Sequence, residues 1–272
     1  MRASIDSALE SFLDELPEAR VVDVAKYIAM GGKRLRGFLV VEVAESLGAG
    51  EEAALDAAVA VELVHASSLA LDDIIDEDYT RRGLEAAWVR FGLKKTVMVS
   101  NLLIPFAQRI VYSRYGALAL ERTVQAWLDI SRGEVVDAFL PPDKLAPDAY
   151  LEMIRLKTGA LFRLSAELGV IAAGREDLLR AAGEYGETLG ITYQIADDLR
   201  DSEDPKRVER EPSLRLFLRW AGGREKPLKV IEELITKAEQ LAEELDGARA
   251  SALRVLPRFV VDAMLRGLPG TG

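Results

Sequence analysis

Three aspartates interrupt an apolar helical stretch in the first third of the chain. Residues 51–71 are rich in alanine and leucine and contain no proline or glycine, which predicts a helix. If that helix continues, Asp72, Asp73 and Asp76 project from one side, where like charges repel by about 0.2–0.5 kcal/mol per exposed pair. A divalent cation would offset this repulsion. Mg²⁺ typically takes one or two carboxylates and completes its shell with water and phosphate oxygens.

The same spacing recurs about 125 residues later, where Asp197, Asp198 and Asp201 follow an uncharged helical stretch. A single acidic triplet is most often a solvated surface, but coincidence explains two matched triplets poorly. Two such clusters can face each other across a helical bundle and hold several metal ions around one diphosphate. The pair of clusters therefore predicts a metal-dependent diphosphate site.

Cationic residues stand at three places where they could bind phosphate oxygens. The stretch 31–37 (GGKRLRG) puts a glycine turn and three cations before a helix, and free backbone N–H groups at such a turn can bind anions. Arg81 and Arg82 directly follow the first acidic cluster, and Lys157 and Thr158 lie beside a glycine in a helical stretch. Each place also has an ordinary structural explanation. In the order given, these are a basic turn between helices, cations that offset a helix dipole, and a helix kink.

The composition excludes several kinds of site. The 272-residue chain has no cysteine, which excludes disulfides, a thiol nucleophile and cysteine-based metal centres. Its single histidine argues against a serine–histidine–aspartate triad and against a histidine-rich metal site. A net charge of −10 argues against nucleic-acid binding, so any basic pocket is local. We find no linker, repeat or low-complexity block, and therefore predict a single domain over residues 1–272.

Helical patterns run through the whole chain. No strand pattern stands out, and Pro105 predicts a kink in the apolar helix over residues 94–113. We therefore predict an all-α fold, a bundle of about ten or more helices. The N-terminus lacks the design of a signal peptide, and no run of about 18 apolar residues offers a membrane span. We accordingly expect no transmembrane segment and a cytoplasmic location.

The ordered set of motifs resembles the trans-type isoprenyl diphosphate synthases, the family of the geranylgeranyl and longer-chain polyprenyl diphosphate synthases. The similarity covers about residues 28–201 and consists of GGKRLRG at 31–37, HASSLALDDIID at 65–76, RRG at 81–83, KTGAL at 157–161 and QIADDLRD at 194–201. Each motif alone is moderate evidence, whereas their order and spacing together are strong evidence. The resemblance implies an all-α core around a deep central cavity, usually in a homodimer.

The resemblance also implies a role for each matching residue. Mg²⁺, as three ions around a bound diphosphate, would be held by the clustered carboxylates of Asp72, Asp73, Asp76, Asp197, Asp198 and Asp201. Arg81, Lys157 and Gln194 match residues that support the allylic diphosphate, and Thr158 belongs to the same motif as Lys157. The pocket for isopentenyl diphosphate would comprise Lys33, Arg36, His65 and Arg82. His65 stands two helical turns before Asp72 on the same face, which favours a ligand role over a structural one.

The implied reaction depends on these residue types. Metal ions and cations neutralise the leaving diphosphate of the allylic substrate, so that its C–O bond ionises to an allylic carbocation. The alkene of isopentenyl diphosphate attacks this cation, and the proton that is lost goes to the departing diphosphate. Apolar walls shield the cation from water. No side-chain general base is required, which fits a chain with one histidine.

Product length depends on the depth of the cavity. Ser67 and Ser68 stand five and four residues before the first acidic cluster, where short-chain members of the family often carry aromatic residues that close the cavity. Two serines leave this floor open, and Val64 lies one turn deeper. We therefore predict a product of C20 or longer. Alternatively another helix supplies the floor, with Phe106 and Met98 as candidates.

The region after the second acidic cluster departs from the family pattern. Members usually carry a Gly-Lys motif and a second lysine there on a flexible lid, whereas residues 202–214 are shorter and place Glu211 at the second lysine. Lys206, Arg207 or Arg210 could substitute, although arginine does not replace lysine like for like. A non-catalytic or regulatory subunit of a heteromeric synthase is therefore an alternative, and a class I terpene cyclase is another. Two complete acidic clusters argue against both.

Overall fold

The computed structural model describes residues 1–139, 144–246 and 252–266. The chain forms two compact units. Unit 1 comprises Met1–Val124 and Leu168–Arg175, and unit 2 comprises Gln125–Glu167 and Glu176–Gly272. Helices dominate both units, as the sequence predicts.

Unit 1 is built around one long helix. Its elements are α1 (Arg2–Asp14), a 3₁₀ turn (Ala19–Val21), α2 (Val22–Ala29), α3 (Leu35–Ser46), α4 (Glu51–Ile75), α5 (Ala87–Phe91) and the first part of α6 (Leu93–Phe139). α4 packs against α1, α2 and α3, and its inward residues, among them Val59, Leu63 and Val64, are fully buried. This core helix carries the first acidic cluster at its C-terminal end.

α4 is apolar along most of its length. Among the described residues, it alone is long and apolar enough to cross a membrane by length and composition, a run that we did not identify in the sequence. Inside the protein, 67% of its most apolar 18-residue window is buried. A helix that packs against neighbours on several sides is apolar nearly all round, which accounts for this composition.

A short β-hairpin follows the first acidic cluster, where the sequence showed no strand pattern. β1 (Thr80–Arg81) pairs antiparallel with β2 (Leu84–Glu85). Arg82 and Gly83 form the two-residue loop, with φ values of 55° and 77°. Positive φ at both positions is typical of a type I′ turn, which matches the twist of paired strands. Strands of two residues are too short to produce an alternating pattern, so the sequence did not reveal them.

α6 is interrupted at Gly116, a break that the sequence did not predict. Gly116 has φ 82° and ψ −165°, whereas Pro105 keeps helical backbone angles. A proline inside a helix costs a hydrogen bond but already has a helical φ, while glycine adopts a positive φ without a steric penalty. The break at Gly116 separates two helical segments, and the kink expected at Pro105 stays a prediction.

Unit 2 holds the second part of α6 together with the C-terminal helices. Its elements include α7 (Ala149–Ile154), a π-helical turn (Arg155–Gly159), most of α8 (Ala160–Ala172), a 3₁₀ turn (Glu176–Leu178), α9 (Leu179–Asp201), α10 (Pro205–Arg210), α11 (Pro212–Ala221), α12 (Glu225–Asp246) and α13 (Ala252–Leu265). α9 packs against α12, α13 and the π-helical turn. Gly186 on α9 lies so close to α8 that a Cβ atom there would overlap the carbonyl group of Phe162. This packing positions α9, which carries the second acidic cluster at its C-terminal end.

Candidate active site

The first acidic cluster lies at the C-terminal end of α4. Asp72 and Asp73 occupy its last turn, and Asp76 follows directly, with its backbone N–H donating to the Asp72 carbonyl (2.8 Å). Asp73 is buried, Asp72 is half-buried and Asp76 is exposed. The dipole of a helix disfavours negative charge at its C-terminus, so three carboxylates at this position require nearby cations.

Arg81 neutralises the most buried of these carboxylates. Its Nε donates to Asp73 Oδ1 (2.7 Å), its Nη2 donates to the same oxygen, and Nη2 lies 3.8 Å from Asp78 Oδ2. Burial raises the pKa of Asp73, although Arg81 opposes this effect. The hairpin positions Arg81, and Tyr27 anchors the hairpin by donating from Oη to the Glu85 carbonyl (2.7 Å). The arginine that the sequence assigned to the allylic diphosphate thus lies against the first acidic cluster.

Arg36 and His65 meet two turns further back along α4. Arg36 Nη1 lies 3.0 Å from His65 Nε2, and because a guanidinium group can only donate, Nε2 accepts and the ring is neutral. Burial lowers the pKa of His65 well below its usual value, and the positive charges of Arg36, Arg82, Arg81 and Arg34 lower it further. His65 is therefore a neutral hydrogen-bonding group in a cationic pocket.

The glycine pair of the basic turn makes room for Arg82. Gly31 and Gly32 have φ values of 88° and 89°, and a Cβ atom on Gly32 would lie 2.8 Å from Arg82 Nη2. Arg82 Nη1 donates to the Met30 carbonyl (3.1 Å). The glycines are thus required both for the positive φ and for the close approach of the guanidinium group. Lys33, in the same turn, is exposed.

A buried ion pair that we did not predict fixes this turn to α4. Arg34 is 3% exposed and donates from Nε to Asp6 Oδ1 (2.7 Å) and from Nη1 to Glu62 Oε2 (3.3 Å). Glu62 Oε1 accepts from the backbone N–H of Gly37 (2.8 Å). Because Glu62 lies one turn before His65, the pair holds the basic turn against the helix that carries His65. The available signal was a lone acidic residue between positions 57 and 71 of an apolar helix.

A small cavity of about 70 Å³ lies between these groups in unit 1. Asp73, Arg81 and Arg82 line it together with apolar side chains, among them Ile28 and Leu69. This volume has room for a few water molecules.

The second acidic cluster is tied into a hydrogen-bond chain through Asp198. This residue is 7% exposed and accepts from Tyr150 Oη (2.6 Å) and Gln194 Nε2 (2.9 Å). Gln194 Oε1 in turn accepts from Thr158 Oγ1 (2.8 Å). Burial raises the pKa of Asp198 to about 7, although the bonds from Tyr150 and Gln194 oppose this effect. Two predicted residues thus meet the cluster, whereas Tyr150, on a different helix, had no sequence signal that linked it to Asp198.

Two arginines hold the other carboxylates of this cluster. Arg200 donates from Nη2 to Asp197 and from Nε to Asp201 Oδ1 (2.9 Å). Arg207 Nη1 contacts Asp201 Oδ2. Asp201 is 8% exposed and Asp197 is half-buried. Each acidic cluster therefore has arginine partners placed directly on its carboxylates.

The donor atoms of both clusters fit Mg²⁺, which prefers oxygen ligands and commonly binds through one or two carboxylates plus phosphate oxygens. In the part of the chain that the structure describes, no three acidic or histidine side chains are gathered closely enough to hold an ion by themselves. Arg81, Arg200 and Arg207 balance the carboxylates instead. This arrangement fits an ion that arrives together with a diphosphate and takes over charge that the arginines now neutralise.

Lys157 lies in the π-helical turn that connects α7 to α8. Its Nζ pairs with Glu134 Oε2 (2.9 Å) and Asp137 Oδ2 (2.7 Å) on α6. Gly133 leaves room for the lysine stem, because a Cβ atom there would lie 2.7 Å from Lys157 Cγ. π-Helical turns occur frequently at functional sites. To reach a diphosphate, Lys157 would have to leave these two acids.

The residues expected to set product length lie on α4. Ser67 and Val64 are fully buried and Ser68 is half-buried. The serine hydroxyls donate to the backbone carbonyls of Leu63 (2.8 Å) and His65 (2.9 Å), so they present no unsatisfied donor to an apolar chain. Of the alternative floor residues, Phe106 is 5% exposed, whereas Met98 is 62% exposed and does not line the interior of unit 1.

Comparisons with known proteins identify the family. A family model described as polyprenyl synthetase matches residues 18–212. Over 270 residues the chain is 36% identical to the hexaprenyl pyrophosphate synthase of Saccharolobus solfataricus, covering 97% of this chain and 94% of that protein. Over 215 residues it is 31% identical to the geranylgeranyl pyrophosphate synthase of Geoglobus acetivorans, covering 76% and 67%. The crystal structure of a decaprenyl diphosphate synthase from Rhodobacter capsulatus matches with a TM-score of 0.81 and 25% identity over 97% and 96% of the two chains. The chain therefore belongs to the polyprenyl synthetase family.

Proposed function

We propose that this protein is a Mg²⁺-dependent head-to-tail prenyltransferase that condenses isopentenyl diphosphate with an allylic diphosphate. The observation that carries this proposal is that α4 bears two unlike polar ends of a candidate site, an acidic end at its C-terminus and a basic end at His65 and Arg36. Asp72 and Asp73 offer carboxylates for a diphosphate that arrives with metal. Two turns earlier, about 10 Å along the helix, His65 and its arginine neighbours offer neutral and cationic donors for a diphosphate that binds without metal. An enzyme that condenses two diphosphate substrates needs one binding end of each kind.

The residues of the chain bind the substrates and orient them for the reaction. Bound Mg²⁺, in our proposal three ions on the six aspartates, would supply the charge that stabilises the departing diphosphate. Arg81, Lys157 and Gln194 would add donors to the same diphosphate, with Thr158 orienting Gln194. The C–O bond of the allylic substrate breaks, and its carbon forms a new C–C bond with the terminal alkene carbon of isopentenyl diphosphate. The proton that is lost passes to the departed diphosphate.

The second substrate would be held at the basic turn. Lys33, Arg36 and Arg82 supply positive charge, and neutral His65 fixes Arg36 by accepting its hydrogen bond. Because the pKa of His65 is lowered, this imidazole stays uncharged near neutral pH and acts as a ligand rather than as an acid. This assignment agrees with a reaction that needs no side-chain base.

We propose a product of C20 or longer. Small side chains at Ser67 and Ser68, with Val64 one turn deeper, support it, because no aromatic ring stands on this face of α4 just before the acidic cluster. The names of the relatives support it too, since one is a hexaprenyl and another a geranylgeranyl pyrophosphate synthase. The prenyl chain would occupy the central cavity predicted from the resemblance, which stays a prediction.

We also propose that the enzyme is a cytoplasmic homodimer in which residues 1–272 act as one domain. The family model spans residues of both units, which supports one functional domain. Within unit 2, α6 exposes an apolar stripe of Leu128, Val135 and Phe139, spaced for one helix face. A second copy of the chain covering this stripe would account for its exposure. The mass of the protein in solution tests the dimer.

Steady-state kinetics on two arginine variants test the assignment of the two ends. Arg36→Gln removes a charged donor from the basic end, so we expect the KM for isopentenyl diphosphate to rise about tenfold to a hundredfold. Arg81→Gln should instead raise the KM for the allylic diphosphate and the Mg²⁺ requirement. Arg180→Gln, at an exposed position near the start of α9, is the matched control. Equal effects of both variants on the same substrate would contradict the two-ended site.

A further inference from the structure

The short helix α10 holds a guanidinium group against the second acidic cluster. Of its three cations, Arg207 contacts Asp201 Oδ2 through Nη1. Lys206 is exposed, and Arg210, with a side chain that is 63% exposed, donates to Glu211 (3.2 Å). The contact with Asp201 singles out Arg207 among the residues that could replace the lysines of the family.

Glu211, at the position of the second lysine, is the other partner of Arg207. Arg207 Nε donates to Glu211 Oε1 (2.9 Å) and Nη2 donates to Oε2 (3.1 Å). This two-pronged bond fixes the plane of the guanidinium group while Nη1 remains directed at Asp201. Glu211 thus orients the guanidinium group of Arg207 towards Asp201.

α10 is attached to unit 2 by polar contacts and not by a core. None of its side chains is buried. Asp204 Oδ1 caps its first turn by accepting from the Lys206 N–H (3.0 Å), and Arg215 Nη1 donates to the Glu209 carbonyl (2.8 Å). An element with no buried apolar side chain shifts at a low free-energy cost. Arg207 can therefore change partners without unpacking the helices beneath it.

Metal binding would change the charge that Asp201 presents to Arg207. If Asp201 held a divalent cation, Arg207 would lose the negative charge that it now neutralises, and a diphosphate bound beside it would offer oxygens to the guanidinium group instead. Arginine forms paired hydrogen bonds with phosphate oxygens as readily as with a carboxylate. We propose that Arg207 is the cation that α10 supplies to the metal-bound diphosphate, and that Glu211 is the residue that positions it. This inference rests on the proposed function.

Calorimetric titration of inorganic diphosphate into the full-length protein at saturating Mg²⁺ tests this assignment without catalysis. Arg207→Gln should weaken diphosphate binding about tenfold to a hundredfold, because a charged hydrogen-bond donor is lost. Arg207→Lys should bind diphosphate with an affinity between that of this variant and that of the wild type, since lysine keeps the charge but cannot form the paired hydrogen bonds of a guanidinium group. Glu211→Gln should weaken binding less than Arg207→Gln. Arg210→Gln, a neighbour on the same helix that also contacts Glu211, should bind within about twofold of the wild type.

Kinetics provide a second readout that a purely structural role would not produce. Arg207→Gln should raise the KM for the allylic diphosphate and leave the KM for isopentenyl diphosphate unchanged. Diphosphate binding by Arg207→Gln and Arg207→Lys that equals the wild type would overturn the proposal, as would an equal loss in Arg210→Gln. Because the titration needs no turnover, a chain that binds diphosphate through Arg207 but never elongates a prenyl chain would contradict the proposed function alone.

Discussion

At the scale of single residues, the site is defined by which side chains contact each aspartate. Asp73, Asp197 and Asp201 all contact arginines, whereas Asp198 is bound by a tyrosine and a glutamine. The sequence predicted the aspartates from their spacing, because helical periodicity brings positions three and four apart to one face. It did not predict that Tyr150 binds Asp198 or that Arg207 contacts Asp201, since these two residues belong to other elements and tertiary packing brings them to α9.

The lowered pKa of His65 predicts how stability depends on pH. The unfolded chain protonates this histidine below about pH 6.5, whereas the folded protein keeps it neutral beside Arg34, Arg36, Arg81 and Arg82. The folded protein therefore keeps its full stability above that pH. Its stability decreases as the pH falls below that value towards the lowered pKa that His65 has in the folded state. We expect the wild type to lose stability relative to His65→Gln below about pH 6.5, by up to about 1.4 kcal/mol per pH unit.

Urea unfolding of both proteins at a series of pH values measures this difference. The comparison cancels the carboxylates that the two proteins share. A difference in unfolding free energy that does not change between about pH 7.5 and about pH 5.5 would show that His65 titrates normally in the folded protein.

At the scale of elements, α4 organises the candidate site, and the basic turn before α3 is fastened to it. The bonds from Arg34 to Asp6 and Glu62 join that turn to α1 and α4. Arg36 then meets His65 on the same helix. The apolar and acidic patterns of the sequence predicted α4 itself. The sequence did not predict this ion pair, because contacts between residues far apart in the chain leave no local sequence pattern.

Removing one partner of the buried pair should be costly. Arg34→Met leaves Glu62 charged and 3% exposed, so we expect a loss of about 3–5 kcal/mol in the free energy of unfolding. The double variant Arg34→Met/Glu62→Gln should recover part of this loss, because no buried charge is left unpaired. Chemical denaturation measures both. Lys33→Met, in the same turn but exposed, is the stability control and should change the free energy by less than about 0.5 kcal/mol.

A second outcome of the same experiment would count against this account of the turn. If Arg34→Met and Lys33→Met unfold with equal free energies, the ion pair does not hold the turn.

The hairpin and the break at Gly116, like the buried ion pair, could not be predicted from the sequence, since both depend on backbone angles at one or two residues. Long helices with a clear apolar pattern could be predicted, and such local exceptions could not.

At the scale of the whole molecule, a chain of net charge −10 is proposed to bind two anionic substrates. The general field of the protein opposes this, so binding depends on local cations and metal ions. The arginines placed on both acidic clusters and around His65 supply that local charge. The composition therefore argues against nucleic acid as a partner and is compatible with small diphosphates.

Product analysis of the wild type beside Ser68→Phe tests both the assignment as a prenyltransferase and the open cavity floor. Each protein is incubated with Mg²⁺, isopentenyl diphosphate and C5, C10, C15 or C20 allylic diphosphates, and the products are identified by mass spectrometry, with Ser7→Phe on the exposed face of α1 as the control. We predict all-trans products of C20 or longer from the wild type and the control, none after chelation of the metal, and shorter products from Ser68→Phe, because a ring at this half-buried position shortens the cavity. An absence of elongation with every primer would contradict the assignment as a prenyltransferase and point to a regulatory subunit.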